Sequence, residues 1–340
     1  MSQSNKKVLI TGHMGFIGAW TVYLFKLNGW KVYGIDDRSS YGERLYDKAN
    51  LSSLVDKEID CDVANLEKWQ MWLSEIQPAL IIHLAGQAIV PRAFKQPYLT
   101  YRTNTLGTLA VLEAAKITES VSAVVCITSD KVYENNNNGL AFSESDLLGG
   151  SDIYSISKSS SEMICKAYYK THLIERNISI QTVRLGNVVG GGDWSINRLV
   201  PDLYSAALKN TTFKVRYIEA TRPFQHVSDV AIGIYRIANA ASNGAIKSGE
   251  AWNLGPKDNS FATVRSVIDL FKQYYPGLII IDENEKIKED MNLSVNIEKY
   301  CKNFPEPRDN SESALKRTIN WYQNYILSGN PNKLMEKDLM

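Results

Sequence analysis

Short apolar runs alternate along this chain with stretches whose apolar positions recur at helical spacing. The runs are KVLIT (7–11), KVYGID (31–36), the weaker EIDCD (58–62), ALIIHLA (79–85), AVVCIT (123–128) and IQTVRLG (180–186). Each has the length of a strand, and apolar residues on both flanks mark strands covered on both faces of a parallel sheet. Helical spacing predicts helices from Gly18 to about Asn28, over 66–76, over 100–117 and over 154–173. Strand–helix alternation of this kind implies right-handed crossovers and a doubly wound α/β fold.

Past about residue 187 the alternation loosens. GNVVGGGDW is glycine-rich loop chemistry, followed by helical patterns at 198–210, 226–241, 262–275 and 311–327 and one more short strand, EAWNLG (250–255). The expected division is a sheet domain of residues 1–187 plus about 220–255, with a smaller C-terminal lobe from about 188–219 plus 256–340. NNNN (135–138) begins a polar loop running to about Asp152, read as a surface flap beside the 123–128 strand.

Composition narrows the class. With 340 residues, 44% of them hydrophobic and 22% charged, the chain has ample material for a globular core. The 38 basic and 37 acidic residues balance to +1, which argues against nucleic acid or a membrane surface as the main partner. Cys61, Cys126, Cys165 and Cys301 are scattered without C-x-x-C spacing and only four histidines are present, so no metal site is expected. That cysteine usage fits a reducing cytosol. No run approaches the roughly 18 apolar residues of a membrane span, and MSQSNKKVLI leads almost directly into a strand.

The first candidate chemistry is TGHMGFIG, which puts Gly12, Gly15 and Gly18 directly after the first strand and at a helix start. A lone glycine triplet marks no more than a turn. Here an acid, Asp36, ends the second strand about 20 residues on, as in a Rossmann-like dinucleotide site. Glycines let the backbone approach a pyrophosphate, and the helix N-terminus offers N–H groups and a favourable dipole. Asp36 can accept from both ribose hydroxyls, which favours NAD over NADP. Arg38, two residues on, is a group able to hold a 2′-phosphate. Asp62 ends the weak third strand, where it either reaches the adenine amino group or is a plain surface acid.

The second is YSISK, with Tyr154 and Lys158 at i, i+4 on one helix face. An ammonium near a phenol stabilises the phenolate, so the tyrosine can serve as a base nearer neutral pH. The third is SDK: Ser129, Asp130 and Lys131 stand where a buried strand ends.

T-G-x-x-G-x-x-G, His83-Leu84-Ala85, Asn104 and Tyr154-x-x-x-Lys158 together resemble the extended short-chain dehydrogenase/reductase family, over nearly the whole chain. That family includes nucleotide-sugar epimerases, dehydratases and decarboxylases. Within it, dehydratases typically carry Asp-Glu after this strand, and Asp-Lys is similar to the CDP-glucose 4,6-dehydratase branch. GNVVGGGDW, the RLVPD after it (198–202) and ATRPFQHV (220–227) resemble the same branch.

The resemblance implies NAD as cofactor, a nucleotide sugar as substrate and a homodimer built on a four-helix interface of the 100–117 and 154–173 helices. VLEAA and MICKAYY would supply its apolar surface, or face the core. It places Phe16, Ile17, Val63, Leu84, Ala85 and Thr103 beside the cofactor, with the three glycines, Asp36, Arg38 and Asp62. It makes Tyr154 the base at the C4 hydroxyl and Lys158 its partner on the nicotinamide ribose. Ser129 would bond the C4 oxygen, Asp130 would be the acid toward the C6 hydroxyl and Lys131 the base at C5. Asn187, Arg198 and Arg222 would hold the diphosphate and nucleotide, Arg being suited by its planar, permanent charge. Gln87 would face sugar or cofactor. For these roles Lys131 must be neutral and Asp130 protonated, so the site must aim them apart and desolvate them.

Three positions depart from the pattern. Ile153 stands for a usual Pro before Tyr154, Ile17 for a usual Lys, and Phe224 for a usual Trp, which bears on how a base or sugar stacks. A C4 epimerase, a dehydratase of another nucleotide sugar, and a binding module that keeps the family fold are the competing readings.

Overall fold

A computed structural model describes residues 6–40, 42–135, 139, 141–215, 217–282 and 293–340. Seven strands form one parallel sheet: β1 (Lys7–Thr11), β2 (Lys31–Asp36), β3 (Lys57–Asp60), β4 (Leu80–His83), β5 (Ala123–Ile127), β6 (Ser179–Leu185) and β7 (Glu250–Leu254), in the order β7-β6-β5-β4-β1-β2-β3. The strand order reverses between β1 and β4, so the crevice outside their C-terminal ends is where such a sheet binds ligands. The glycine loop leaves β1 there, and the Ser129-Asp130-Lys131 turn leaves β5 one strand further on.

Helices cover both faces because the strands are apolar on both. On one side α1 (Phe16–Leu27) and α6 (Val227–Ser242) pack Val22, Phe25, Val230 and Ile234 against Val8, Ile10 and Val125. On the other, α2 (Leu66–Ile76), α3 (Gly107–Ile117) and α4 (Ile153–Tyr168) bring Trp69, Val111 and Cys165 onto Leu9, Ile81 and Val124. A third cluster joins α1 to α5 (Leu199–Lys209), α7 (Val264–Tyr274), α8 (Ser311–Ser328) and α9 (Pro331–Leu339) through Trp20, Leu203, Phe271, Tyr322 and Met335. Small ribbons stitch this region together, among them Asn187–Val189 beside Phe224–His226 and Thr221–Arg222 against Ala262–Thr263.

The observed elements differ from the pattern in three instructive places. β3 stops at Asp60, so Asp62 lies in the turn beyond it. The 100–117 stretch is α-helix at Pro97–Tyr101, a wide π-turn at Arg102–Leu106 and then α3; a second π-turn, Tyr169–Leu173, follows α4. Such turns fit a helical apolar pattern yet shift the register of the residues beyond them. The polar loop after β5 is anchored: Phe142 stacks on Tyr133 (centroids 4.7 Å apart, 5° between planes) and its N–H donates to Ser294 O at 2.9 Å. Residues 136–138 of its asparagine run lie outside the described residues. No described helix is long and apolar enough to cross a membrane.

Candidate active site

The glycine loop has the close contacts its residues foretell. Gly12 sits at φ +73°, and a Cβ there would lie 2.5 Å from Ala85 N; a Cβ on Gly18 would lie 2.1 Å from Gly12 O. Only glycine permits both the turn and the seating of α1 against it. Gly15 caps α1 with no side-chain hydrogen bond, and the first N–H groups of a helix have no partner within it. Asp36 is buried; its Oδ2 accepts from Met14 N at 2.7 Å and its Oδ1 from Asp37 N at 2.9 Å. Leu84 and Ala85 line the opposite wall, their N–H groups donating to Thr11 O at 3.0 Å and Thr11 Oγ1 at 3.3 Å. This cradle, which a Cβ would fill, with a carboxylate at the end of β2, fits a dinucleotide such as NAD.

Other residues expected at the cofactor have engagements of their own. Phe16 and Ile17 open α1, half-buried against the core. Asp62 accepts from Arg102 Nη1 at 2.5 Å and from Ala64 N at 2.8 Å, so Arg102 already holds one of its oxygens. Val63 is buried against Gly107, and Thr103 lies in the π-turn just before α3. Arg38 donates to Glu58.

At the end of β5 the chain turns sharply. Ser129 Oγ caps a single 3₁₀ turn over Asp130–Val132, accepting from Lys131 N at 3.2 Å. Asp130 is buried, with a Cβ on Gly186 standing only 3.3 Å from its Oδ2, whereas Lys131 is half-buried. The two neighbours are thus placed in different surroundings. Tyr154 and Lys158 face this turn from α4, both buried. Asp152 fixes the helix start where a proline would have shared that task, accepting from Tyr154 N at 2.8 Å and Ser155 N at 3.1 Å; Ile153 is simply the exposed first residue.

Burial pushes the Tyr154 phenol up to about 12, opposed by its hydrogen bond with Ser129 and by the charge of Arg198. Burial likewise drives the Lys158 ammonium down to about 8. Lys158 Nζ donates to Ile127 O at 3.0 Å, tying α4 to the end of β5. In the chain itself the pull on the phenol comes from Ser129 and Arg198.

A polar scaffold, only partly visible in the sequence, fixes these groups. Asn104 Oδ1 accepts from Gln87 N at 2.7 Å, and its Nδ2 donates to Gln87 O at 3.1 Å and Ser157 Oγ at 2.8 Å, linking the π-turn to α4. Gln87 spends its amide locally, donating to Thr100 Oγ1 at 3.0 Å and accepting from Ile89 N at 2.6 Å. Its side chain shapes the loop from within. One turn past Lys158, buried Glu162 accepts from Thr128 (2.5 Å), Thr182 (2.8 Å) and Arg184 Nη2 (2.9 Å), while Arg184 Nη1 donates to Tyr133 OH at 2.9 Å. The Glu162–Arg184 pair thus grips both ends of the Ser129–Val132 turn. A charged residue at i+4 from Lys158, on a helix face otherwise lined with serines, was the signal for it. A cavity of about 700 Å³ opens beyond this pair, lined by Glu144, Lys166 and Lys299 among others; it reaches none of Ser129, Asp130, Lys131, Tyr154 or Lys158.

Candidates for the nucleotide come from the chain after β6. Asn187 starts the ribbon beside Phe224, and Arg198 precedes α5 with Nη1 3.3 Å from Asp193 Oδ2. Arg222 is buried, donating to Thr221 O at 2.8 Å. Phe224, 1% exposed, lies within the core, so its ring is no stacking surface for a base or sugar.

The chain is 34% identical over 269 residues to the CDP-glucose 4,6-dehydratase of Salmonella typhimurium, covering 78% of this chain and 75% of that one. The fold is similar to a solved dTDP-glucose 4,6-dehydratase from Bacillus anthracis in complex with NAD (TM-score 0.77, 24% identity, 94% and 96% covered). It is also similar to a UDP-glucose 4-epimerase from Thermotoga maritima (TM-score 0.82, 21% identity, 94% and 99% covered). A family profile described as the NAD dependent epimerase/dehydratase family matches residues 8–255, from β1 to the end of β7, and the chain belongs to that family.

Proposed function

We propose that the protein is an NAD-dependent nucleotide-sugar 4,6-dehydratase, a hydro-lyase, with CDP-glucose as its substrate. The observation that carries this reading is the Asp130-Lys131 turn set between Ser129 and Tyr154. An epimerase needs a proton acceptor at C4 and little more; it has no task for a second acid and base.

Bound NAD supplies a reversible acceptor for the C4 hydrogen, which it gives back at C6. The cradle of Gly12, Gly15 and Gly18 would hold its pyrophosphate, Asp36 its adenosine ribose and Lys158 its other ribose. Tyr154 takes the C4 hydroxyl proton, with Ser129 bonding the same oxygen. The C4 ketone acidifies the neighbouring C5 hydrogen, which Lys131 removes as a proton. Asp130 donates its proton to the C6 hydroxyl, which leaves as water. Once C6 has regained hydrogen, Lys131 returns the proton to C5; Tyr154 gives up its proton and Asp130 takes one back through solvent, and the sum is the sugar less one water. The acid role of Asp130 is supported by its place: it is buried next to Ser129, with Gly186 close to its Oδ2.

The lobe from about 188–219 and 256–340 closes on the nucleotide, with Asn187, Arg198 and Arg222 as its ligands. A homodimer through the helices of residues 100–117 and 154–173 is supported by exposed Tyr101, Leu106, Ile156 and Met163. Val111, Leu112, Ala114 and Ala115 of the VLEAA stretch are buried in the protomer's own core and give nothing to that face. The free thiols of Cys61, Cys126, Cys165 and Cys301 support a cytosolic location.

The test is incubation of purified protein and NAD with CDP-, dTDP-, GDP- and UDP-glucose and an N-acetylated analogue. Loss of one water from the CDP sugar without net cofactor reduction supports the reading; loss from none of them overturns it.

A further inference from the structure

The third strand carries a carboxylate that the proposed reaction does not use. Glu58 pairs in register with Gly34 of β2, two residues before Asp36. The missing side chain at Gly34 makes room for the His13 ring, since a Cβ there would lie 2.4 Å from His13 Nε2. His13 is fully buried inside the glycine loop, its Nε2 3.0 Å from Glu58 Oε2 and its Nδ1 3.9 Å from Asp36 Oδ2. Tyr46 OH donates to the same Glu58 oxygen and packs edge-on against His13, centroids 5.2 Å apart. Glu58 Oε1 takes the guanidinium of Arg38. The His13 hydrogen bond holds the Glu58 carboxyl below its ordinary range, so it is an anion at neutral pH.

Arg38 follows Asp36 by two residues, and its own N–H is fixed on Asp60 Oδ1 at 3.1 Å. An Arg at this position is the group that would meet a 2′-phosphate on the adenosine ribose. Here the Nη2 of its guanidinium donates to Glu58 of β3. Arg44, another guanidinium near the loop (Nη1 3.4 Å from Met14 Sδ), donates through Nε to Asp47 at 2.6 Å.

We infer that Glu58 is a coenzyme-specificity residue: by holding Arg38 off the ribose edge, it adds to Asp36 in making the site one for NAD and against NADP. The inference rests on the cofactor cradle described above. His13 and Tyr46 are positioning residues that aim the Glu58 carboxylate. The mechanism is charge placement: an unpaired Arg38 would offset the repulsion between Asp36 and a 2′-phosphate, whereas a neutralised one cannot.

The test is equilibrium binding of NADH and NADPH to the full-length protein, followed by nicotinamide fluorescence, with thermal melting as a fold control. In Glu58→Gln the ratio of NADPH to NADH affinity is expected to rise about tenfold. Adding Arg38→Ala to that variant is expected to restore the wild-type ratio. Arg38→Ala alone is expected to leave the ratio of NADPH to NADH affinity within about twofold of wild type, because Glu58 already holds its guanidinium. A ratio unchanged in folded Glu58→Gln overturns the inference, as does a rise that persists in the double variant. If Glu58→Gln does not fold, Arg38→Ala decides alone: a lowered ratio of NADPH to NADH affinity there overturns the inference and an unchanged ratio upholds it. Wild-type protein that binds neither coenzyme overturns both the inference and the cradle it rests on.

Discussion

Lys158 Nζ donates to the carbonyl oxygen of Ile127 at 3.0 Å, so the helix carrying Tyr154 is fastened to the strand that delivers Ser129 and Asp130. The cation is buried, and burial lowers it from 10.5 to about 8. For a lysine depressed in the folded state, the unfolded chain binds more protons between those two values, so this group makes stability rise with pH from about 8 toward 10. Denaturant unfolding of wild type and Lys158→Met at a series of pH values isolates it. The stability difference, wild type minus variant, is expected to climb by about 2 kcal/mol across that window. A flat difference would mean that the ammonium is not buried in the free protein.

The two residues after Ser129 are expected to fail in different ways. Lys131→Met should abolish solvent-deuterium incorporation at C5, while Asp130→Asn should keep that exchange yet slow the loss of water by about a hundredfold or more. Mass spectrometry of sugars recovered from deuterium oxide distinguishes the two. Wild-type exchange in Lys131→Met would remove it as the C5 base.

Glu162 and Arg184 form a buried pair, each 4% exposed. Glu162→Gln leaves a guanidinium uncompensated and is expected to cost about 3–5 kcal/mol in denaturant unfolding. Glu162→Gln combined with Arg184→Met should recover much of that loss, since neither partner is then a stranded charge. Because the pair also grips Thr128 and Tyr133, turnover in the single variant should fall more than coenzyme binding does.

Gly18→Ala sets a methyl group against the backbone oxygen of Gly12, a contact no rotamer can relieve, whereas Gly277→Ala meets nothing within 4 Å. NADH titration is expected to show at least about a tenfold loss of affinity for the first and none for the second. Equal binding by both variants would separate the cofactor from this loop.

What the sequence disclosed is what local chemistry encodes. β1, β2 and β5, the glycine turn and the i, i+4 placement of Tyr154 and Lys158 depend on residues a few positions apart. Partnerships that close over long separations were hidden: His13 with Glu58, Asp62 with Arg102, and Glu162 with Arg184 lie 45, 40 and 22 residues apart. Each required the sheet order to be known first. Gln87 illustrates the same limit, since a glutamine after a strand looks equally fit for a ligand or for its own loop, and only the fold shows Thr100 and Ile89 N taking both ends of its amide. The π-turn that places Asn104 was masked because its apolar pattern matches an ordinary helix.

The reaction assigned to this site moves a hydrogen within one sugar, from C4 to C6. The most direct measurement follows CDP-glucose deuterated at C4 through the wild-type protein by NMR. Deuterium recovered at C6 of a 4-keto-6-deoxy product, with no net cofactor reduction, is the expected result. Deuterium returned to C4 of an intact hexose with inverted configuration would make the protein an epimerase and contradict the role given to Asp130 and Lys131.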